Sequence, residues 1–190
     1  MGITRKSVYT VVAGVCAALM TAGCGASTGE NGESAESPTK GQLSAPKVPD
    51  GFDPCVDIPQ EVLDTEGLHS TNSSTSKDEM RRGDIAWSGC NWVVSDGYGA
   101  GVSATNLTID KVREKDAAIV RETVVDDRTV VITQRENALD SCTLNAELVG
   151  GSLEFGITNP PSRRLTGDQP ACDIGVRLAE KVLPLVPDDA

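Results

Sequence analysis

Between Cys142 and Thr158 the apolar residues fall on every second position, with two glycines in the middle. Leu144, Ala146 and Leu148 alternate with Asn145 and Glu147; past Gly150-Gly151, Leu153, Phe155 and Ile157 alternate with Glu154. A period of two puts each set on one side of a pleated strand, and a tight glycine turn folds the two sets onto the same side. The stretch is therefore an antiparallel hairpin with one apolar face, and the rest of the chain has to cover that face. With Gly150-Gly151 as the turn, Leu148 lies opposite Leu153, Ala146 opposite Phe155 and Leu144 opposite Ile157.

Candidates for the cover stand on both sides. After Pro170, Ile174, Leu178, Ala179, Val182 and Leu183 form one stripe of a helix, Arg177, Glu180 and Lys181 face water, and Pro184 and Pro187 close it. Upstream, Asp84 to Ile109 reads as a second hairpin. Its loop Ser95-Asp96-Gly97 pairs Trp92 with Ala100 and Cys90 with Val102, with Gly97 in the left-handed position. Asp110 caps a short helix to about Ala117, and Ile119–Val125 and Thr129–Thr133 are strands around the turn Asp126-Asp127-Arg128. Nearer the start, Asp57 with Gln60 makes a capping-box-like pair, Pro59 suits a first helical turn, and Gly67 ends that helix, whose apolar side is Ile58, Val62 and Leu63. His69 to Lys77 is a polar loop. The fold class is α+β: an antiparallel sheet built of hairpins, with an N-terminal short helix and a C-terminal helix packed on it, in one domain over residues 51–187.

The first residues set the address. Arg5 and Lys6 precede the uncharged, mostly apolar run Val8 to Met20, too short and wrongly flanked for a spanning helix. Thr21-Ala22-Gly23-Cys24 follows and resembles a bacterial lipobox, although Thr21 stands where that motif usually has Leu. The expectation is a signal peptide over residues 1–23 and a diacylglyceryl group on Cys24, which becomes the mature N-terminus. Residues 24–50, rich in Gly, Ser, Glu, Pro and Lys, then form a disordered tether spanning about 25–30 Å.

Export gives the cysteines their meaning. With Cys16 discarded and Cys24 acylated, Cys55, Cys90, Cys142 and Cys172 remain, an even number in an oxidising compartment. Three pairings are open. The favoured one is Cys55–Cys90 with Cys142–Cys172, each tying a helix-bearing segment to a strand, and each worth roughly 3–4 kcal/mol in the chain-entropy model. With no Cys-x-x-Cys spacing, neither zinc nor thioredoxin-like chemistry is indicated.

Charge narrows the partners. The chain carries −11; removing residues 1–23 discards two cations and no acid, leaving 15 cations against 28 acids, or −13. So acidic a chain repels nucleic acid and anionic lipid head groups, so membrane contact should come through the acyl chains on Cys24.

Asp53-Pro54-Cys55 ahead of a short helix, Cys90-Asn91-Trp92 after it, and a Cys172 helix running to Leu183-Pro184 resemble an actinobacterial lipoprotein family catalogued as domain of unknown function 3558. The likeness covers residues 51–187 and the preceding lipobox. It implies an exported, membrane-anchored, disulfide-bonded domain and lends no activity.

Catalytic sets are hard to assemble. His69 is the only histidine, sits in a polar loop, and has no Gly-x-Ser-x-Gly elbow to serve. Asp126 with Asp127 offers carboxylates to a cation, but adjacent acids in a turn are ordinarily solvated. Gly97-Tyr98-Gly99-Ala100-Gly101 leads into a strand, so it lacks the helix terminus of a phosphate loop. Trp92 beside Cys90 reads as core packing, and Asp53 as the residue that leads the chain into the first helix. The expected function is thus non-catalytic: an envelope lipoprotein, with no cofactor or metal, that binds a partner protein or a small or lipid-like ligand. The alternative is a hydrolase working through carboxylates alone, which needs two acids converging in a pocket.

Overall fold

The hairpin around Gly150 forms, with a different turn. In this computed structural model, which describes residues 47–70, 78–115 and 118–190, Ser141–Leu148 pairs with Gly151–Thr158 around the two-residue turn Val149-Gly150. Gly150 takes φ +78° there. Leu144 therefore faces Phe155 and Ala146 faces Leu153, a slip of two residues from the Gly150-Gly151 expectation. A slip of two preserves every side chain's face, so the apolar pattern could not detect it.

Numbered along the chain, the strands are β1 (His69–Ser70), β2 (Asp78–Arg82), β3 (Ile85–Val93), β4 (Gly99–Thr105), β5 (Ile119–Val125), β6 (Arg128–Thr133), β7 (Ser141–Leu148) and β8 (Gly151–Thr158). They make one antiparallel sheet in the order β1-β3-β4-β8-β7-β6-β5, with β2 also paired to β3. The helices are α1 (Pro54–Asp57), α2 (Gln60–Thr65), α3 (Ile109–Arg113) and α4 (Ala171–Val182), the last continued by a 3-10 turn at Leu183–Leu185. The α+β class holds, with α4 on the sheet. The leader, Cys24 and the tether up to residue 46 lie outside the described residues, as do residues 71–77 of the polar loop and Ala117.

The β3–β4 hairpin has the expected register, Trp92 opposite Ala100 and Cys90 opposite Val102. Its left-handed residue is Asp96 (φ 56°) rather than Gly97. Asp96 is held there by Arg164, which pairs with its carboxylate, and by Leu165, whose N–H donates to its carbonyl at 3.2 Å. Between β5 and β6 the turn is two residues, Asp126 and Asp127, both at positive φ, so Arg128 belongs to the strand. The strand β2, with the sequence DEMRR, shows no apolar alternation; it lies on the sheet's edge, where charged residues guard against further pairing.

The N-terminal helix is two helices. Asp53 caps α1 by accepting from the Cys55 N–H at 3.1 Å, and Asp57 accepts from the Asp53 N–H at 2.7 Å instead of boxing with Gln60. Pro59 then precedes α2, and Ile58 between the two helices is extended. The end of α2 is a Schellman turn: Leu68 N–H to Leu63 O at 2.9 Å, Gly67 N–H to Asp64 O at 3.0 Å, with Gly67 at φ +66°. Thr108, not Asp110, caps α3, accepting from the Lys111 N–H.

One face of the sheet carries Cys90, Trp92, Val102, Ile132, Leu144, Leu153 and Phe155, and the helices α1, α2 and α4 close over it. Gly175 lets α4 come close: a Cβ there would stand 2.4 Å from Leu144 Cδ1. Disulfides tie helices to that face, Cys55 to Cys90 and Cys142 to Cys172, which is the favoured pairing. The opposite face is polar, with a small apolar patch of Leu107, Ile109, Val112 and Val131 under α3.

Candidate functional site

No cleft opens between α4 and the sheet, because the stripe Ile174, Leu178, Ala179 and Val182 is buried against it. The concavity lies on the polar face. A cavity of about 340 Å³ is floored by β7 (Thr143, Asn145) and by Glu154 of β8, and walled on one side by Leu107, Val112 and Lys115 around α3. Its other wall is the segment from Thr133 to Ala138, including Arg135. That size is at the lower end of small-molecule sites.

Its floor is organised. Asn145 is 2% exposed. Its amide nitrogen donates to Ser152 Oγ at 3.1 Å and to Glu154 Oε2 at 3.3 Å. Ser152 in turn donates to the Leu107 carbonyl at 2.6 Å, which fixes the loop leading to α3. Trp87 Nε1 reaches the same Glu154 oxygen at 3.1 Å. Arg113 anchors α3 to the edge strand by a fork onto Glu122 (2.8 and 3.0 Å), and this bond from Arg113 holds the Glu122 carboxyl below its ordinary value. Alternation predicts which face Asn145 and Glu154 occupy, but not that their side chains would be bridged.

A second cluster has no sequence signature. The Glu66 side chain, just past α2, is only 3% exposed and gathers three donors: Tyr98 Oη at 2.9 Å, Arg177 Nε at 3.2 Å and Lys181 Nζ at 2.6 Å. Arg177 and Lys181 therefore do not simply face water; they reach back from α4 to a buried acid. Burial pushes the Glu66 carboxyl up, yet the bonds from Lys181 and Tyr98 and the charges of Arg177 and Lys181 outweigh it and leave it below its ordinary value. Burial and the Glu66 carboxylate raise the Tyr98 phenol far above its ordinary value. The cluster locks α2, α4 and the β3–β4 loop together. Being filled by its own partners, it offers a ligand little.

The residues singled out from sequence are dispersed. His69 is an exposed edge residue opposite Val93. Trp92 is buried in the core, and Asp53 is a helix cap. Asp126 and Asp127 line a second, more open concavity of about 640 Å³ with Arg128, Glu147 and Asp188. Among the described residues no group of His, Cys, Asp and Glu is arranged to hold a metal ion. Each of the four described cysteines is disulfide-bonded, and among the described residues Glu154 is the one carboxylate lining the cavity. No helix among the described residues is long and apolar enough to cross a membrane.

A family model described as "Protein of unknown function (DUF3558)" matches residues 19–185. No curated protein and no solved structure matches the chain.

Proposed function

The chain belongs to the DUF3558 family of proteins of unknown function, and on that premise we propose that it is an extracytoplasmic lipoprotein that holds a small polar ligand without transforming it. Cys24, once acylated, anchors it to the cell membrane, and the domain from residue 51 onward works on the outer side. The observation that carries the binding role is the cavity over β7, with its buried and internally bonded Asn145 on the floor. The anchor rests on the lipobox-like Thr21-Ala22-Gly23-Cys24 and on the two disulfides, which suit an oxidising compartment. A lipid-like ligand fits less well than a polar one, because the apolar face of the sheet is filled by α4.

Two measurements test this. The full chain produced in a lipidating bacterium should yield an acylated N-terminal peptide beginning at Cys24, and Cys24→Ser should move the protein from membrane to medium; retention in the membrane would refute the anchor. Native mass spectrometry of protein released gently from the envelope should show a small adduct that Thr143→Trp, which fills the cavity, removes. An adduct that survives this substitution places the ligand elsewhere.

A further inference from the structure

We infer that the cavity on the polar face takes a small zwitterion, an amino acid or short peptide with both ends free, its ammonium at Glu154 and its carboxylate at Lys115 and Arg135. This deepens the binding role proposed above and rests on it. The first ground is uncompensated charge. Both bonds to Glu154 fall on Oε2 and come from the neutral donors Trp87 and Asn145, so its charge has no counter-ion among the described residues and Oε1 is left for a ligand. Lys115 and Arg135, both exposed at the cavity's rim, make no ion pair among the described residues. A half-buried carboxylate in a cavity is most favourably completed by a cation, and the two cations at the rim supply donors on which that ligand's acid end can rest.

The second ground is spacing. Glu154 lies on the cavity floor, opposite Asn145 of β7 and through it level with Val131 of β6; Arg135 stands four residues past Val131 on one wall, and Lys115, just beyond α3, on the other. Two strand spacings across (about 10 Å) and four residues along (about 13 Å) separate the Glu154 and Arg135 backbones, and the side chains of Glu, Lys and Arg reaching inward shorten the gap a ligand must bridge. A molecule with opposite charges a few atoms apart spans it, whereas a lone anion satisfies only one side. The third ground is the field of the whole chain. At −11 it repels a net anion at range, while a zwitterion carries no net charge to repel.

The test is calorimetric titration of the disulfide-bonded protein with free L-amino acids and alanylalanine, beside N-acetyl-alanylalanine and alanylalanine amide. At least one free zwitterion should bind, and blocking either end should weaken binding tenfold or more. Glu154→Gln, which keeps the shape and the Trp87 contact, should weaken the free ligand tenfold and leave the N-acetyl form unchanged. Lys115→Ala with Arg135→Ala should weaken the free form to about the level of the amide and leave the amide itself unchanged. Blocked forms that bind as well as free ones, or no binding by any of the panel, overturn the inference. If the panel fails while an adduct from the envelope is still lost in Thr143→Trp, the zwitterion falls and the cavity's binding role stands; if that adduct is also absent, both fall.

Discussion

Glu66 shows how one buried charge can organise a fold. Three donors converge on it from α4 and from the β3–β4 loop, and a hydrogen bond to a charged group is worth about 1.5–3 kcal/mol. Glu66→Gln keeps the shape but loses the charge, and should cost about 1–3 kcal/mol in urea unfolding at pH 7, since Arg177 and Lys181 are partly exposed and can regain water. The pH dependence follows from the direction of the shift. A carboxyl held below its ordinary value in the folded state stabilises the protein above that value, near 4.5, and stops doing so as pH falls through the folded pKa. The difference between wild type and Glu66→Gln should therefore shrink from pH 7 toward pH 3; a constant difference would mean that shape, not charge, matters. Tyr98 behaves in the opposite sense. In a chain lacking residues 1–23 it is the sole tyrosine, so ultraviolet titration reads it alone, and its phenol should stay protonated well past pH 10 until the protein unfolds. None of this was legible in the sequence, because Glu66, Tyr98 and the two α4 cations share no spacing that brings them together. They look like ordinary surface residues until the chain has folded.

At the scale of elements, alternation and turn chemistry carried far. The strands β3 to β8 stand where period and turn residues place them: β7 and β8 because half-buried strands must alternate, β5 and β6 through the turn between them, since β5 is largely exposed and β6 is buried on both faces from Val130 on. Register was less legible: Gly150-Gly151 and Val149-Gly150 give the same faces and both put Gly150 in the turn; in the structure positive φ falls on Gly150 and not on Gly151, which pairs with Leu148 as strand. The glycines inside strands make the same point. Gly89 of β3 and Gly156 of β8 read alike, yet a Cβ at Gly89 would stand 2.0 Å from the Val102 carbonyl oxygen and 2.5 Å from Ser103 Cα, while one at Gly156 meets nothing within 4 Å. Gly89→Ala should therefore disrupt the β3–β4 pairing and cost more than about 3 kcal/mol, as backbone clashes do. Gly156→Ala should stay within about 0.5 kcal/mol of wild type. Thermal unfolding of the two variants side by side checks both, and equal melting temperatures would contradict the close approach at Gly89. The edge strand β2 went unseen because an edge is held by backbone pairing, with no apolar face to advertise it.

For the whole molecule the two disulfides act as independent restraints, since the loops they close, 55–90 and 142–172, do not overlap. Their separations of 35 and 30 residues are nearly equal, so removing either should cost about the same, roughly 3–4 kcal/mol. Removing both should cost roughly twice that, because unlinked loops add, and this is comparable to the whole stability of a domain of this size. The doubly reduced chain should therefore be largely unfolded at 37 °C, while each single-bridge variant stays folded. Equal thermodynamic weight does not imply equal vulnerability. Cys55 is only partly buried, whereas Cys142 is 2% exposed beneath α4, and a reductant thiolate must reach a sulfur to exchange with it. Graded dithiothreitol followed by alkylation and peptide mass spectrometry should label Cys55 and Cys90 first. The protein should then pass through a state in which α4 is still clamped to β7 while α1 is free of β3. Loss of the Cys142–Cys172 bridge first would mean that the sheet side opens before the N-terminal helices, and that α4, rather than α1 and α2, is the weakly held part of the fold.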